Sequence, residues 1–430
     1  MSPSAAHEMQ EAAVSSNHDA VPPPAGPPPG TSAARSSVIL DGHGPEEIEF
    51  VSDPLGGLVL RSADLGPLLG GLLGRLGLAP ATLPEPPAVD SPETAPADTA
   101  PPRWLTWRGQ VTSLPRRQLR AAPERLLWRT MLGAPGGLPA TVAADPFTPS
   151  AYANLLDIAS ELARRQLRAC RLCAWRCGVD RTLEPAARCG SSAVARVTRT
   201  LDSDGDEPQL GRQLVVWTSG CNWSCAFCQY PAELDARAGA VIRPRALARA
   251  VDAAYDRGRS TLHLVGGNPD QHAPTLLRML THLTRPARIA WDANASATGV
   301  LLTLVPADVW ILDLRAGNEA CAITLGGHSG AWAATRAAVR RAAHQTAAAT
   351  IVRHLVIPGH VDCCTTGVAA YLQDLAASGG RFQVSLLEHY RPRHRAVGDA
   401  ALGRLPWQDE LRRARSHFEQ AGLPLVDRRA

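Results

Sequence analysis

The chain has 430 residues, 45% of them hydrophobic, which is enough for two or three domains with a real core. Its 44 basic residues, all arginine, nearly balance 40 acidic ones, so the formal charge of +4 gives no electrostatic case for nucleic acid. Without lysine, Schiff-base chemistry, a pyridoxal-phosphate lysine and a Walker-type phosphate loop are excluded, because each needs that amine.

The first residues show neither a basic segment nor an apolar run, so no secretory signal is expected. No stretch approaches the ~20 apolar residues of a membrane span. The expectation is a cytoplasmic protein whose ten cysteines stay reduced, which favours metal binding or catalysis over a disulfide framework. Residues 1–35, rich in Pro, Ala, Ser and Gly, are expected to be disordered. Residues 36–82 read as a small accessory module, with "SVILDGHGPEEIEFV" as two short strands and "GPLLGGLLGRLGL" as a Gly-weakened helix. Residues 83–102 are a Pro-rich, extended linker. Residues 103–205 read as a helical, Cys-rich segment, with the clearest helix in "PSAYANLLDIASELARRQLRAC" and Ser150 as its expected cap.

Over 206–430, short β-rich runs alternate with amphipathic helical segments. The expected strands are 213–220, 261–267, 287–294, 309–315, 351–359 and 381–390. Helices fall between them in "RPRALARAVDAAYDRG", "APTLLRMLTHL", "AWAATRAAVRRAAHQ" and "GVAAYLQDLAAS", with one more near 407–421. Such alternation implies parallel pairing through right-handed crossovers, hence an open doubly wound sheet or an incomplete barrel. In both, chemistry sits at the C-terminal strand ends.

"TSGCNWSCAFCQY" places Cys221, Cys225 and Cys228 just past the first of these strands. Structural zinc and cubane iron–sulfur clusters both usually take four protein ligands. Three thiolates leave one metal atom without a protein ligand, open to a substrate or cofactor. The bland alternative is a zinc knuckle.

The Cys-x3-Cys-x2-Cys pattern, with the aromatic Phe227 before its last Cys, resembles the radical S-adenosylmethionine (SAM) superfamily, and the surrounding segments resemble the activating enzymes of pyruvate formate-lyase. The resemblance implies a partial (β/α)6 TIM-like barrel. It also implies a 4Fe-4S cluster whose open iron is chelated by SAM, and reductive cleavage of SAM to a 5′-deoxyadenosyl radical that abstracts hydrogen from a substrate. "HLVGGNP" is similar to the family's Gly-Gly-Glu segment, placing Gly266, Gly267 and Asn268 at the methionyl group, with an amide where the family has a carboxylate. "WDAN" and "LDLR" are similar to Asp-Thr-Asn and Asp-x-Lys segments, which puts Asp292 and Asp313 near the cofactor carboxylate and Arg315 in the lysine's place. "VRHLVIPGH" and "LLEHYRP" add Arg353 and His389 as cofactor contacts and His354 as a weaker candidate. An external flavodoxin- or ferredoxin-like one-electron donor is implied. The substrate is a small molecule, a peptide or, as in the activases, a protein glycine.

A second group, Cys170, Cys173, Cys177 and Cys189, has spacers of 2, 3 and 11 residues. It suits a structural zinc, an auxiliary cluster or reduced thiols, and resembles a segment ahead of the radical motif in an activase-like branch. Cys321, Cys363 and Cys364 are read as small buried apolar side chains, with a redox role conceivable for the vicinal pair. The rival from another class is a non-catalytic zinc or iron–sulfur scaffold or electron carrier.

Overall fold

The computed structural model describes residues 100–426 apart from 143–144, 184–187, 205–206 and 346, together with the backbone of two short strands nearer the N-terminus. Those strands, β1 (Phe50–Ser52) and β2 (Leu58–Leu60), pair antiparallel within a unit that ends at Glu93. The expected disordered segment, the Gly-weakened helix and nearly all of the Pro-rich linker lie outside the described residues.

The second unit opens with the helix Arg103–Gly109, fastened by four long-range hydrogen bonds, one of them from the Arg103 guanidinium to the Ala307 carbonyl (3.0 Å). The Arg103 amide donates to Asp308 (2.7 Å), the Trp104 indole to the Ala287 carbonyl (2.9 Å) and Arg108 to the Leu283 carbonyl (2.6 Å). A three-stranded antiparallel sheet follows, formed by β3 (Gln110–Pro115), β4 (Ala140–Val142) and β5 (Tyr152–Asn154). The sequence predicts residues 103–169 to be mainly helical, and the structure differs by placing this three-stranded sheet among them. Two of these strands span three residues, too few for a period-2 pattern to register. The helix expected from Ser150 runs over Leu155–Arg165 instead, and Asn154 caps it. The Asn154 carbonyl oxygen accepts from the Asp157 amide (2.8 Å), and Asp157 accepts from the Asn154 amide (3.1 Å). This reciprocal pair satisfies two otherwise orphaned donors. The helix buries Leu156, Ile158, Ala159 and Leu162 against the barrel.

The barrel contains the six expected parallel strands: β7 (Gln213–Thr218), β9 (Thr261–Gly266), β10 (Arg288–Ala293), β11 (Val309–Asp313), β12 (Ala349–Leu355) and β13 (Gln383–Leu387). They neighbour one another in chain order. Two antiparallel strands, β6 (Arg196–Ser203) and β8 (Ala240–Val241), extend the β7 side of the sheet. β6 was not expected: "RVTRTLDS" carries charged residues on a half-exposed edge and has no apolar run. At the other edge the tail pairs with β13, through Val384 N to Pro424 O and Val426 N to Val384 O, both 2.8 Å.

The base of the barrel is plugged. Leu210 packs with Ala290, Val309, Ile311 and Ile351, all essentially inaccessible. Among the described residues no helix is long and apolar enough to cross a membrane.

Candidate active site

The period-2 geometry of strands sends alternate side chains inward. At the C-terminal strand ends this brings Gln213, Val215 and Trp217 of β7, His263 and Val265 of β9, Asp292 of β10, Asp313 of β11 and Arg353 of β12 to one cleft of about 420 Å³. That volume falls in the range of small-molecule sites. Cys221, Cys225, Cys228, Phe227, Gly266, Gly267 and His389 line the same cleft. A larger cavity of about 1220 Å³ borders the small N-terminal sheet, with Arg116 and Arg278 in its wall. It is lined by no cysteine and by no C-terminal end of a barrel strand.

The cysteine loop leaves β7 through Gly220. The paired glycines at the end of β9 are there because the backbones meet. A Cβ on Gly266, whose φ is +129°, would lie 2.2 Å from the Thr218 carbonyl oxygen, and one on Gly267 would lie 2.1 Å from that of Gly220. On its far side the loop is pinned to the helix Glu319–Gly326. Ser224 N donates to Gly326 O (3.2 Å) and Ala226 N to Leu325 O (2.8 Å).

Cys225 and Phe227 are buried, while Cys221 and Cys228 are half-buried. Burial, reinforced by the neighbouring Cys225, pushes the Cys221 thiol up to about 12. Burial likewise raises Cys225 and Cys228. Three such thiols resist ionising unaided, and a bound cationic metal supplies the missing compensation. Donors already face the sulfurs. Arg315 Nη1 is 3.7 Å from Cys225 Sγ, and Asn294 Nδ2 and the Trp223 amide are each 3.5 Å from Cys221 Sγ. The other arm of Arg315 holds Asp313, and the guanidinium lies 5.7 Å over the Phe227 ring.

Beneath the loop lies a buried polar layer. Arg353 binds Glu207 bidentately, at 2.7 Å on both arms, and donates to Asp292 at 2.5 Å. His263 bridges Asp292 (2.9 Å) and Gln213 (2.6 Å). Burial alone would raise Asp292, but Arg353 and His263 hold it below the ordinary carboxylate value. Asp313 goes the other way, because burial outweighs Arg315.

Of the residues expected at the cofactor, Phe227, Gly266, Gly267, Asp292, Asp313, Arg353 and His389 share the cleft with the three cysteines. Asn268 does not line it. Its side-chain amide donates to Asn222 (3.0 Å) and Asn294 (3.1 Å) in a buried amide network below the loop. His354 is also turned away, bonded to Leu314 O (2.8 Å) and Thr365 Oγ1 (2.9 Å), with burial pushing it down to about 4. Sequence reasoning missed Glu207, His263 and Gln213. Only His263, a polar residue inside an apolar strand, leaves a trace in the sequence.

Cys170, Cys173, Cys177 and Cys189 meet around a second, small cavity with Trp175, Arg181 and Arg188. Burial pushes Cys173 up to about 12. Arg188 lies 3.6 Å over the Trp175 ring, and the Trp175 indole donates to Asn222 O (2.8 Å), tying this loop to the first cysteine loop.

Residues 215–372 match the model of the Radical SAM superfamily. The chain is 26% identical over 282 residues to the Uncharacterized protein MJ0674 of Methanocaldococcus jannaschii, covering 64% of this chain and 81% of that protein. Among solved structures it is similar to a radical SAM methyltransferase from Sphaerobacter thermophilus, with a TM-score of 0.39 and 19% identity over 54% of this chain and 76% of that one. It is also similar to Streptococcus suis SuiB bound to precursor peptide SuiA, with a TM-score of 0.37 and 14% identity over 50% of this chain. It covers 47% of SuiB, about half that protein's length. The matched span runs from β7 through the cysteine loop to the helix after β12, so residues 215–372 are a Radical SAM superfamily domain.

Proposed function

We propose that this radical SAM enzyme abstracts hydrogen from a small-molecule or peptide substrate in the cleft at the C-terminal strand ends. The observation that carries the reading is the convergence of Cys221, Cys225 and Cys228 on a cleft shared with Asp292, Asp313 and Arg315. The donor set fits a 4Fe-4S cluster held by three thiolates: all sulfur, largely buried, and faced by a guanidinium.

Bound there, such a cluster with its open iron supplies the single electron that splits the SAM sulfonium into methionine and a 5′-deoxyadenosyl radical. The protein's own part is positioning and exclusion. Arg315 balances the thiolate charge and orients Asp313. Arg353 and His263 fix Asp292 in its ionised form, ready for a cationic group of the cofactor. Trp217, Val265, Leu355 and Leu387 give the cleft an apolar wall that keeps water from a reactive intermediate. The electron comes from a flavodoxin- or ferredoxin-like donor.

The accessory residues 36–82 and their Pro-rich tether favour a presented small molecule or peptide over a protein glycine, because a barrel alone does not need them. The test is anaerobic reconstitution, dithionite reduction and assay for 5′-deoxyadenosine. An intact, reduced cluster that releases none overturns the enzymatic reading. Deleting residues 1–102 is expected to spare this uncoupled cleavage and to reduce substrate turnover. Unchanged turnover removes the accessory module from the proposal.

A further inference from the structure

Cys321, Cys363 and Cys364 do not sit apart as buried apolar side chains. They converge with His360, and the four ligand atoms (three Sγ and one imidazole nitrogen) all lie within 4.8 Å of one another. His360 Nδ1 is 3.8 Å from Cys321 Sγ, 3.3 Å from Cys363 Sγ and 3.7 Å from Cys364 Sγ. The vicinal sulfurs are 3.9 Å apart, far beyond disulfide bonding. A tetrahedral zinc ion with Zn–S of about 2.3 Å and Zn–N of about 2.0 Å sets sulfur–sulfur edges of about 3.8 Å and sulfur–nitrogen edges of about 3.5 Å. The three sulfur–nitrogen distances and the vicinal sulfur–sulfur distance lie within about 0.3 Å of these edges, and the Cys321 sulfur is within 4.8 Å of the other two. A cubane cluster gives each thiolate its own iron and spreads the sulfurs wider, so the spacing selects a single ion.

The backbone is shaped to bring these ligands together. His360, Cys363 and Cys364 come from the loop after β12, where Val361–Thr365 forms a π-helical turn. Such turns are rare and concentrate at functional sites. Cys321 comes from the first turn of the helix Glu319–Gly326, and Asn318 joins the two pieces. Asn318 Oδ1 accepts from the Cys321 amide (2.8 Å), and Asn318 Nδ2 donates to the Cys363 carbonyl (2.9 Å). Gly317 makes the approach possible, since a Cβ there would lie 2.2 Å from the Cys364 carbonyl oxygen.

We propose that Cys321, His360, Cys363 and Cys364 bind one zinc ion in a closed Cys3His shell. With four protein ligands the ion has no open position, so its role is to brace. It ties the loop after β12 to the helix whose C-terminal carbonyls hold Ser224 and Ala226 of the radical cysteine loop. Cys321 and Cys364 also share one apolar cluster with Cys225 and Phe227. The site is independent of the substrate reading above and of the Cys170 group.

The test is metal analysis of full-length protein purified without oxygen, in a background where Cys170 and Cys173 are Ser so that their group contributes no zinc. One zinc per chain is expected, absent in Cys321→Ser and Cys363→Ser while bound iron stays unchanged. Zinc-edge absorption is expected to show three sulfurs at about 2.3 Å and one nitrogen at about 2.0–2.1 Å. His360→Cys is expected to keep the zinc in an all-sulfur shell, which separates loss of a ligand from loss of the fold. Zinc content unchanged by Cys321→Ser and Cys363→Ser overturns the site, and so does iron leaving with them in place of zinc. A zinc-free background protein, or a His360→Cys protein that is folded but zinc-free, overturns it as well.

Discussion

Arg353 and Glu207, 146 positions apart, face each other through two parallel hydrogen bonds of 2.7 Å beneath the radical cysteine loop. Glu207 is wholly buried and the third arm of the guanidinium carries Asp292, so one cation serves two carboxylates. Arg353→Met leaves Glu207 without a cation and Asp292 with His263 alone, and is expected to cost about 3–5 kcal/mol, read as a lower denaturation midpoint. Arg353→Met/Glu207→Gln recovers part of that loss. Equal stability of the single and double variants contradicts the pairing.

Arg315 faces the Cys225 sulfur from the side, at 3.7 Å. Arg315→Gln removes a positive charge next to Cys225, so the reduced, more negative centre is less favoured and the midpoint potential falls. Cleavage of SAM is expected to drop about 10- to 100-fold, the usual range for outer-shell partners of a metal site. Arg315→Lys restores the charge without the fork, and so recovers the potential better than the rate. An EPR-monitored redox titration of the three proteins decides it. A potential unchanged in Arg315→Gln removes Arg315 from this role.

The resemblance puts Asn268 where the family has a carboxylate, and in the structure its side chain belongs to a buried amide network. Its amide hydrogens satisfy the side-chain oxygens of Asn222 and Asn294. Asn268→Ala is expected to cost about 1 kcal/mol, because each of these buried acceptors loses one donor and keeps another, Asn294 Nδ2 on Asn222 and the Ser296 amide on Asn294. Asn268→Glu faces those oxygens and the buried Asp270 with a further negative charge, and is expected to be worse. Thermal denaturation ranks the three proteins, and a glutamate variant as stable as the parent refutes the network.

Glu410 gives a pH signature. Arg404 donates to it at 2.7 and 2.9 Å, and the amides of Gly359 and Trp407 donate at 2.6 and 2.7 Å. The Arg404 hydrogen bonds lead in holding its carboxyl at about 2, against the opposing effect of burial. A depressed carboxylate contributes stability above its unfolded value of about 4.3, and that stability is lost as the pH falls through about 2. Glu410→Gln is expected to cost roughly 1–3 kcal/mol at neutral pH. It is also expected to flatten the acid limb of a stability–pH curve measured from pH 5 to pH 2. A parallel acid limb in the variant refutes this assignment.

The barrel was legible because its signals are local. Parallel strands buried on both faces are near-continuous apolar runs, and "QLVVWT" or "VWILD" between Gly, Pro and charged turns needs no partner to be read. The cysteine triplet is local too. What escaped depends on distant segments. β6 carries its charges on a half-exposed face and is a strand because β7 and β8 lie beside it. β4 and β5 are too short to show alternation. Cys321 and His360 are 39 positions apart and meet only through the crossover from β11 to β12. Ser150 reads as a cap by residue type, but the reciprocal bond between Asn154 and Asp157 decides the start of the helix.

With Leu210 stopping its base, the barrel is a cup and not a tube. No path runs through the base to the cysteine loop, so a molecule that enters along the strand axis from the rim has to turn back to leave.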